Sequence, residues 1–358
     1  MPNLRFPEFS GEWEKRKLAS IGKFFSGGTP TSSNKDYYDG EIPFIRSGEI
    51  HSDHTELSIS AIGYENSSAK MVSKGDLLLA LYGATSGDIA ISRMSGAINQ
   101  AILCIRTTQD HLFLKSVWEK HVKNILNTYL QGGQGNLSAD IVKNLFFYFP
   151  RIEEQRKIGR LIELIDQRIA IQNRAIEQYE SLIKGISSEV IGGKRPNTTL
   201  SNCVFCSSST LKESELIDTG IPTYGAAGIS GYTAEALCKS DSILITKDGS
   251  GVGSKRYVHG EHSFVGTLCS LTPKDGIYLP YVYYALMTMN LDTYKTGQAI
   301  PHIYFKDYGK LQLFCPTYSE QRRLSHGLET LDRKVEFEKN LLLSINEVKK
   351  GLLDQLFI

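Results

Sequence analysis

The sequence predicts a mixed α/β (α+β) fold of two globular domains separated by a pair of long antiparallel helices, with an internal pseudo-two-fold. Three observations carry this. First, Pro150-Arg-Ile-Glu-Glu154-Gln155-Arg156 returns as Pro316-Thr-Tyr-Ser-Glu320-Gln321-Arg322, and the same offset of 166 superposes Glu163 on Glu329, Asp166 on Asp332, Lys184 on Lys350 and Gly185 on Gly351. A duplicated unit of this size is a built-in pseudo-symmetry. Second, each copy of the motif opens a long apolar seam of heptad spacing. Third, each copy is preceded by a buried-strand pattern that runs into a glycine turn. The boundaries read as 1–149 for the first domain, 150–193 for the first helix, 194–315 for the second domain and 316–358 for the second helix.

In the first helix the seam runs through Ile158, Ile162, Ile165, Ile169, Ile176, Tyr179, Ile183, Ile186 and Val190. Alternating steps of four and three define two positions of a heptad. The second seam is Leu324, Leu328, Leu331, Val335, Leu342, Ile345, Leu352 and Leu356. Gln172 and Glu338 interrupt the two seams at equivalent places, and Lys349 interrupts only the second. Either Gln172 and Glu338 lie opposite one another or both face outward. The first helix is expected to stop at Gly192-Gly193, ahead of Pro196. The second is expected to start with Ser319 as N-cap and Glu320 favouring the positive helix end. At about 35 residues each helix spans roughly 50 Å, longer than one domain of ordinary size needs. Two matched seams in one chain therefore predict that the helices pair.

Before the helices, Gly75-Asp76 with Leu77–Leu81 leads into Tyr82-Gly83-Ala84-Thr85-Ser86-Gly87. Its counterpart, Asp241-Ser242 with Ile243–Thr246, leads into Lys247-Asp248-Gly249-Ser250-Gly251-Val252-Gly253. Gly83 with Gly249 and Gly87 with Gly253 keep the 166 offset, as expected of a strand ending in a tight turn. One further strand is expected over Ala97–Leu103 and over Ser263–Leu268. Gly133-Gln134-Gly135-Asn136-Leu137 answers Gly297-Gln298-Ala299-Ile300-Pro301-His302, and Ile42-Pro43-Phe44-Ile45 answers Ile221-Pro222-Thr223-Tyr224. A shared scaffold with divergent loops is the pattern of two modules that read different targets.

Composition narrows the class. With 358 residues, 41% hydrophobic, 22% charged and a net charge of +1, the chain is long enough for two or three real cores. Near-neutral charge neither suggests nor excludes nucleic acid, so a DNA partner requires local positive potential. No run approaches the roughly 20 apolar residues that span a membrane, and the start lacks a signal-peptide stretch. Six cysteines without a dense framework fit a reducing cytoplasm. Cys203 and Cys206 form a lone CxxC, read as small buried thiols rather than zinc ligands because no second ligand pair follows.

Catalytic patterns are missing. Gly249-Ser-Gly251-Val-Gly253-Ser254-Lys255 resembles a phosphate cradle but matches neither the P-loop nor the dinucleotide spacing. No Asn/Asp-Pro-Pro-aromatic segment, GxSxG elbow, HExxH or nuclease-type acidic-x-Lys pattern is present, and the eight histidines are scattered. The expectation is no catalytic residue, no metal and no cofactor.

Taken together, the motifs resemble the specificity subunit of Type I restriction-modification systems over essentially the whole length. They are Trp13-Glu-Lys-Arg-Lys-Leu18 with Gly27-Gly28-Thr29-Pro30, Ile42-Pro43-Phe44-Ile45-Arg46-Ser47-Gly48, Tyr82–Gly87 with Asn99-Gln100-Ala101, and the duplicated Pro-x-x-x-Glu-Gln-Arg. The second domain departs from the pattern, with Thr199-Leu200 in place of the Trp-Lys opening and Gly266-Thr267 where the first has Gln100-Ala101. The resemblance implies a non-catalytic, cytoplasmic reader of double-stranded DNA with two target-recognition domains, each reading half of a bipartite asymmetric site. It also implies partners: two methyltransferase subunits docked on the helices, and restriction motor-nuclease subunits. A non-DNA scaffold that oligomerises through a coiled coil is the alternative. Hydrogen-bonding side chains on loops and strand ends are the expected DNA contacts. In the first domain these are Arg46, Ser47, Tyr82, Thr85, Asn99, Gln100, Gln134 and Asn136; in the second, Tyr224, Lys247, Ser250, Lys255, Arg256, Gln298 and His302.

Overall fold

A computed structural model describes residues 2–130, 136–249, 251–297 and 301–358. It contains two compact units, Met1–Ile171 with Leu342–Ile358, and Gln172–Leu341. The division falls within the two long helices, so each helix contributes one part to each unit.

The strands of the first unit are β1 (Glu14–Lys17), β2 (Gly22–Ser26), β3 (Tyr38–Ile45), β4 (Ser58–Ile59), β5 (Lys70–Val72), β6 (Leu77–Ala80), β7 (Ile89–Ile91), β8 (Gly96–Ile98), β9 (Ile102–Thr107) and β10 (Phe146–Phe149). They form sheets ordered β2-β9-β6-β7 and β4-β3-β8-β5 and the antiparallel pair β1-β10, and within them only β3 and β8 run parallel. Its helices are α1 (Ala61–Glu65), α2 (His111–Leu130), α3 (Ala139–Asn144) and the start of α4 (Ile152–Ser187). The apolar run of β6 is continuous because both faces are covered. Leu77 and Leu79 join Phe113, Val117 and Trp118 of α2 in one core, while Leu78 and Ala80 join Ile45, Ile98 and Cys104 in another. Each such leucine contributes about 1.5–3 kcal/mol by leaving water.

The second unit repeats the plan with β11 (Thr198–Thr199), β12 (Val204–Ser208), β13 (Ile221–Gly225), β14 (Gly228–Thr233), β15 (Ser242–Thr246), β16 (Lys255–Val258), β17 (Ser263–Phe264), β18 (Leu268–Pro273) and β19 (Gln312–Leu313). Sheets β12-β18-β15-β16, β14-β13-β17 and β11-β19 correspond strand for strand to those of the first unit, except that β5 has no partner. The β13–β17 pairing is parallel, as β3–β8 is. Its helices are α5 (Leu200–Cys203), α6 (Leu279–Met287), α7 (Phe305–Tyr308) and the start of α8 (Tyr318–Leu356).

The expected single strands over Ala97–Leu103 and Ser263–Leu268 are each two strands. The chain leaves one sheet after Ile98 or Phe264 and enters the other at Ile102 or Leu268. Three residues turn the corner, where Asn99 Oδ1 accepts from the Ala101 N–H at 3.1 Å.

The helix ends differ from expectation in detail. α8 starts at Tyr318, and Glu320 turns back to accept from the Thr317 hydroxyl (2.8 Å) and N–H (3.3 Å), so Ser319 lies inside the first turn and is not the cap. α4 passes into a π-turn over Ser188–Gly192, closed by a Gly193 N–H to Ser188 carbonyl bond of 2.9 Å. Gly193 has φ −75°, so the helix stops there without a left-handed glycine cap.

Every seam residue is buried or half-buried, with Ile158, Ile162, Gln172, Ile176, Ile183, Leu328, Val335 and Leu356 fully buried. In the first unit Asp166 meets Lys349 at 2.6 Å. In the second, Gln172 Nε2 donates to the Glu338 carbonyl at 3.2 Å and to its carboxylate. Within the first unit Ile158 and Ile162 share a core with Leu356 and Phe357 while Asp166 meets Lys349, so the parts of α4 and α8 there run antiparallel, and in the second unit the two seam interruptions lie opposite one another. Lys349 is explained as well. It belongs to an ion cluster with Glu119 (2.8 Å) and Asp166, where Lys115 also pairs with Asp166 at 2.8 Å.

The duplicated motif has a structural job. Gln155, 1% exposed, donates to the Pro150 carbonyl (2.9 Å) and Gln109 Oε1 (2.8 Å) and accepts from the Asp110 N–H (3.1 Å) just before α2. Gln321, also 1% exposed, donates to the Pro316 carbonyl (2.8 Å) and accepts from the Tyr278 N–H (2.8 Å) just before α6. Each glutamine therefore ties the long helix to the helix that packs on its own sheet. The glutamates have diverged: Glu154 is buried and takes Arg5 (2.7 Å) and the Trp13 indole N–H (3.3 Å), whereas Glu320 caps.

Candidate nucleic-acid interface

Three loops meet at one rim in each unit, zipped by backbone bonds whose donors keep the 166 offset. The Leu81 N–H donates to the Ala101 carbonyl (2.8 Å) and the Lys247 N–H to Thr267 (2.9 Å). Leu137 donates to Leu81 (2.9 Å) and Ile303 to Lys247 (3.0 Å). Within the turn, Gly87 donates to Ala80 and Gly253 to Thr246, both at 2.9 Å. At the corner between sheets, the Asn99 N–H reaches Ile45 (3.3 Å) and the Val265 N–H reaches Tyr224 (3.0 Å). Gly83, Gly87, Gly249 and Gly253 all have φ between 87° and 92°, the left-handed region that a residue with a Cβ enters at a cost. The backbone frame is thus the same twice, and the side chains on it are not. Tyr82 stands where the second unit has Asp248, Thr85 where it has Gly251, Gln100 where it has Gly266, and Asn136 where it has His302.

In the first unit the frame brings together Arg46 and Ser47 at the end of β3, Asn99 and Gln100 at the corner, Tyr82 and Thr85 in the turn, and Asn136 beside Leu137. Gln100 and Asn136 are exposed and the others half-exposed. Arg46 is held: its guanidinium bonds Glu49 (Nε and Nη2, both 3.1 Å) and Glu56 (2.5 Å). Those bonds, to Glu49 first and then Glu56, raise its pKa above the ordinary arginine value. Burial would push Glu49 up, but the Arg46 side chain and the Glu56 and Arg46 backbone N–H groups bring it below the usual carboxylate value. Burial raises the Tyr82 phenol.

In the second unit Tyr224, Lys247, Arg256 and His302 gather at the corresponding place. The Arg256 guanidinium lies 5.6 Å from the Tyr224 ring centroid, within cation–π range. His302 pairs with Thr296 through reciprocal 2.9 Å backbone bonds and sits against Tyr304 at 5.6 Å. Lys255 is directed elsewhere: its ammonium donates to the Met289 carbonyl at 2.7 Å, and burial lowers its pKa. Gln134, Ser250 and Gln298 lie outside the described residues.

Two rim residues escaped sequence reasoning. Thr29 donates to Gln100 Oε1 at 2.5 Å. It reaches the rim because a Cβ at Gly27 would sit 1.8 Å from the Ile98 carbonyl oxygen, so only glycine permits that approach, and Gly27-Gly28 was the available signal. Tyr304, 49% exposed beside His302 with Lys306 over its ring at 5.3 Å, had no signal beyond being aromatic. Among the described residues no group of three or more His, Cys, Asp or Glu side chains is placed to hold a metal. No described helix is long and apolar enough to cross a membrane.

Comparison with known proteins agrees with this duplicated frame. The family profile of the Type I restriction modification DNA specificity domain matches residues 10–181 and again 195–347. The chain is 20% identical to the Type I restriction enzyme EcoprrI specificity subunit of Escherichia coli, over 95% of this chain and 90% of that protein. It is 24% identical to the MjaIX specificity subunit of Methanocaldococcus jannaschii, over 48% of this chain and 42% of that protein. Its fold matches the crystal structure of the Type-I restriction-modification system S subunit from M. genitalium with TM-score 0.67 and 20% identity, covering 100% of this chain and 99% of the other. A chain from a structural study of type I R-M complex assembly and conformational transition matches with TM-score 0.53 and 16% identity, covering 97% and 98%. With both of its repeats matched by one profile, the chain belongs to the Type I restriction-modification DNA specificity family.

Proposed function

We propose that the protein is the DNA-reading, non-catalytic subunit of a Type I restriction-modification complex, with each unit reading one half of a bipartite, asymmetric site. The observation that carries this is the rim built twice on one backbone frame with different side chains. Equal frames present loops in the same way, and unequal side chains select different bases. The first rim offers Arg46, Asn99, Gln100 and Asn136, whose amides and guanidinium suit base edges in the major groove. The second offers Lys247, Arg256 and His302, and local positive charge of this kind is what a near-neutral chain requires to hold phosphates.

In this reading α4 and α8, with 36 and 39 residues, set the spacer between the half-sites. At about 1.5 Å per residue they are roughly 54 and 58 Å long, against the ~34 Å at which equivalent faces of a duplex recur. Their outward faces would dock two methyltransferase subunits, with restriction motor-nuclease subunits joining for cleavage in the cytoplasm. The test is to express the protein with its methyltransferase subunit and map modified bases across a genome. The reading expects one asymmetric two-part motif with a fixed spacer. A contiguous motif, or modification unchanged by deleting this protein, would refute it.

A further inference from the structure

The corner between the two sheets is met, in each unit, by the strap of chain that follows the first strand of the larger sheet. In the first unit β2 ends at Ser26, and Gly27-Gly28-Thr29-Pro30 runs on from it past the end of β8. The Gly28 N–H donates to the Ile98 carbonyl at 3.2 Å. An added Cβ would lie 1.8 Å from the Ile98 carbonyl oxygen at Gly27 and 1.8 Å from Ser68 Oγ at Gly28, so the strap rests directly on its neighbours. The Tyr38 hydroxyl holds the far end, donating to the Pro30 carbonyl at 2.7 Å. The strap is thus fixed without help from the Thr29 side chain. That side chain is exposed, and its hydroxyl donates to Oε1 of the corner residue Gln100 at 2.5 Å.

The second unit makes the same closure with backbone alone. β12 ends at Ser208, and Leu211 stands three residues on, as Thr29 stands three residues after Ser26. The corner residue is Gly266, whose N–H donates to the Leu211 carbonyl at 2.8 Å. One strap position therefore meets one corner position in both units, and only the first unit places a side-chain amide there. Both partners of the Thr29–Gln100 bond are exposed, so it adds little to folding stability. What it sets is the amide. A separation of 2.5 Å suits an O–H···O bond, which spans roughly 2.5–3.0 Å, and is too short for N–H···O, so the amide oxygen and not the nitrogen faces the hydroxyl. The Nε2–H2 end of Gln100 has no acceptor among the described residues.

We propose that Thr29 is a positioning residue for base selection by the first unit: it holds the Gln100 amide with its NH2 end presented, so that one position of the half-site requires a base whose major-groove edge accepts a hydrogen bond. The inference rests on the DNA-reading function proposed above. Guanine offers N7 and O6, adenine N7 and thymine O4, whereas the cytosine edge offers only the N4 amino donor. Cytosine is therefore the base that this arrangement rejects. Without the hydroxyl the Gln100 side chain is released and can turn either end outward, and an outward Oε1 accepts from the cytosine amino group. Holding the amide in advance also removes the cost of ordering a long polar side chain when DNA binds. The second unit, with glycine at the corner, has no counterpart to this selection.

The first measurement uses the full-length protein without DNA. Side-chain nitrogen relaxation by NMR should show the Gln100 NH2 group ordered in the wild type and in Thr29→Ser, and mobile in Thr29→Val. The second uses the complex with its methyltransferase subunit and times methylation of duplexes varied base by base across the first half-site. Gln100→Ala should lower discrimination about tenfold at one position. Thr29→Val should lower it about threefold at that same position, by admitting cytosine, and leave the other positions and the thermal midpoint as they were. Thr29→Ser should keep the wild-type preference. A mobile Gln100 amide in the wild type overturns the proposal. So does a Gln100→Ala complex with every base preference intact, or a Thr29→Val complex that is unchanged or slowed equally on all duplexes. A wild-type complex that methylates no two-part site fails the proposed function instead, and the relaxation data then still decide whether Thr29 holds Gln100.

Discussion

Replacing Gln321 with leucine isolates what the duplicated motif does. The side chain is 1% exposed and closes two strong bonds, to the Tyr278 N–H and the Pro316 carbonyl, both at 2.8 Å, and a longer one of 3.3 Å to the Gly276 carbonyl. Leucine fills nearly the same volume and keeps the helix, so the loss is the stranding of buried polar backbone. Each stranded group costs about 1–3 kcal/mol. Two strong bonds and one weak one therefore predict about 3 kcal/mol. For the second unit, Gln172–Leu341, the thermal midpoint moves ~2–4 °C per kcal/mol, so a fall of about 6–12 °C is expected. Gln155→Leu should cost a similar amount in the first unit, where the Asp110 N–H, the Pro150 carbonyl and Gln109 lose their partner. Arg156→Ala is the control. It is exposed in the same motif and should change stability by no more than ~0.5 kcal/mol. Calorimetry with parallel urea titrations gives the three values. Glutamine variants costing under ~1 kcal/mol, or an Arg156 variant costing as much, would refute the stapling role.

Gln172→Leu alone should destabilise the second unit by about 1–2 kcal/mol, because the Glu338 carboxylate then loses a buried partner. Changing Gln172 and Glu338 together to leucine should restore or raise the urea midpoint. The two equivalent aspartates should respond oppositely to pH. Burial opposes ionisation of Asp166, but bonds from Lys115 and Lys349 bring its pKa below the ordinary value, so its contribution is present above the unfolded pKa and is lost as pH falls through the folded one. Burial raises Asp332, despite the 2.6 Å bond from the Tyr284 hydroxyl, so its contribution is present below the unfolded pKa and is lost as pH rises through the folded one. Urea titrations should show Lys349→Met destabilising the first unit near neutral pH and flattening its loss of stability in acid, and Asp332→Asn gaining stability near neutral pH; the reverse signs would contradict the assignment. A heptad inserted after both Ile169 and Val335 should lengthen the spacer in the methylation motif by about 10 Å, or three base pairs, and an unchanged spacer would rule out a helical ruler.

What was legible in the sequence was whatever repeats or alternates. The seams needed only a period, but whether Gln172 faces Glu338 or both face outward was open until the packed helices placed them together. The glycine turns were visible because φ near +90° leaves a glycine signature. What was hidden depends on where side chains go once packed. Nothing in Glu154 and Glu320 announces that one holds Arg5 and Trp13 while the other caps a helix. Lys255 read as a rim cation, yet its ammonium is satisfied by the Met289 carbonyl, a contact between segments 34 residues apart in the chain. The two strands read as one over Ala97–Leu103 show the same limit, since a three-residue corner between sheets interrupts neither the apolar pattern nor the β propensity.

The central claim, that two equal frames read two different half-sites, is tested most directly by exchanging residues 194–315 for the same segment of a relative with a different specificity and mapping modified bases in cells carrying the hybrid. The account predicts a motif in which one half changes and the other half and the spacer stay as they were. A hybrid that alters both halves, or neither, would contradict it.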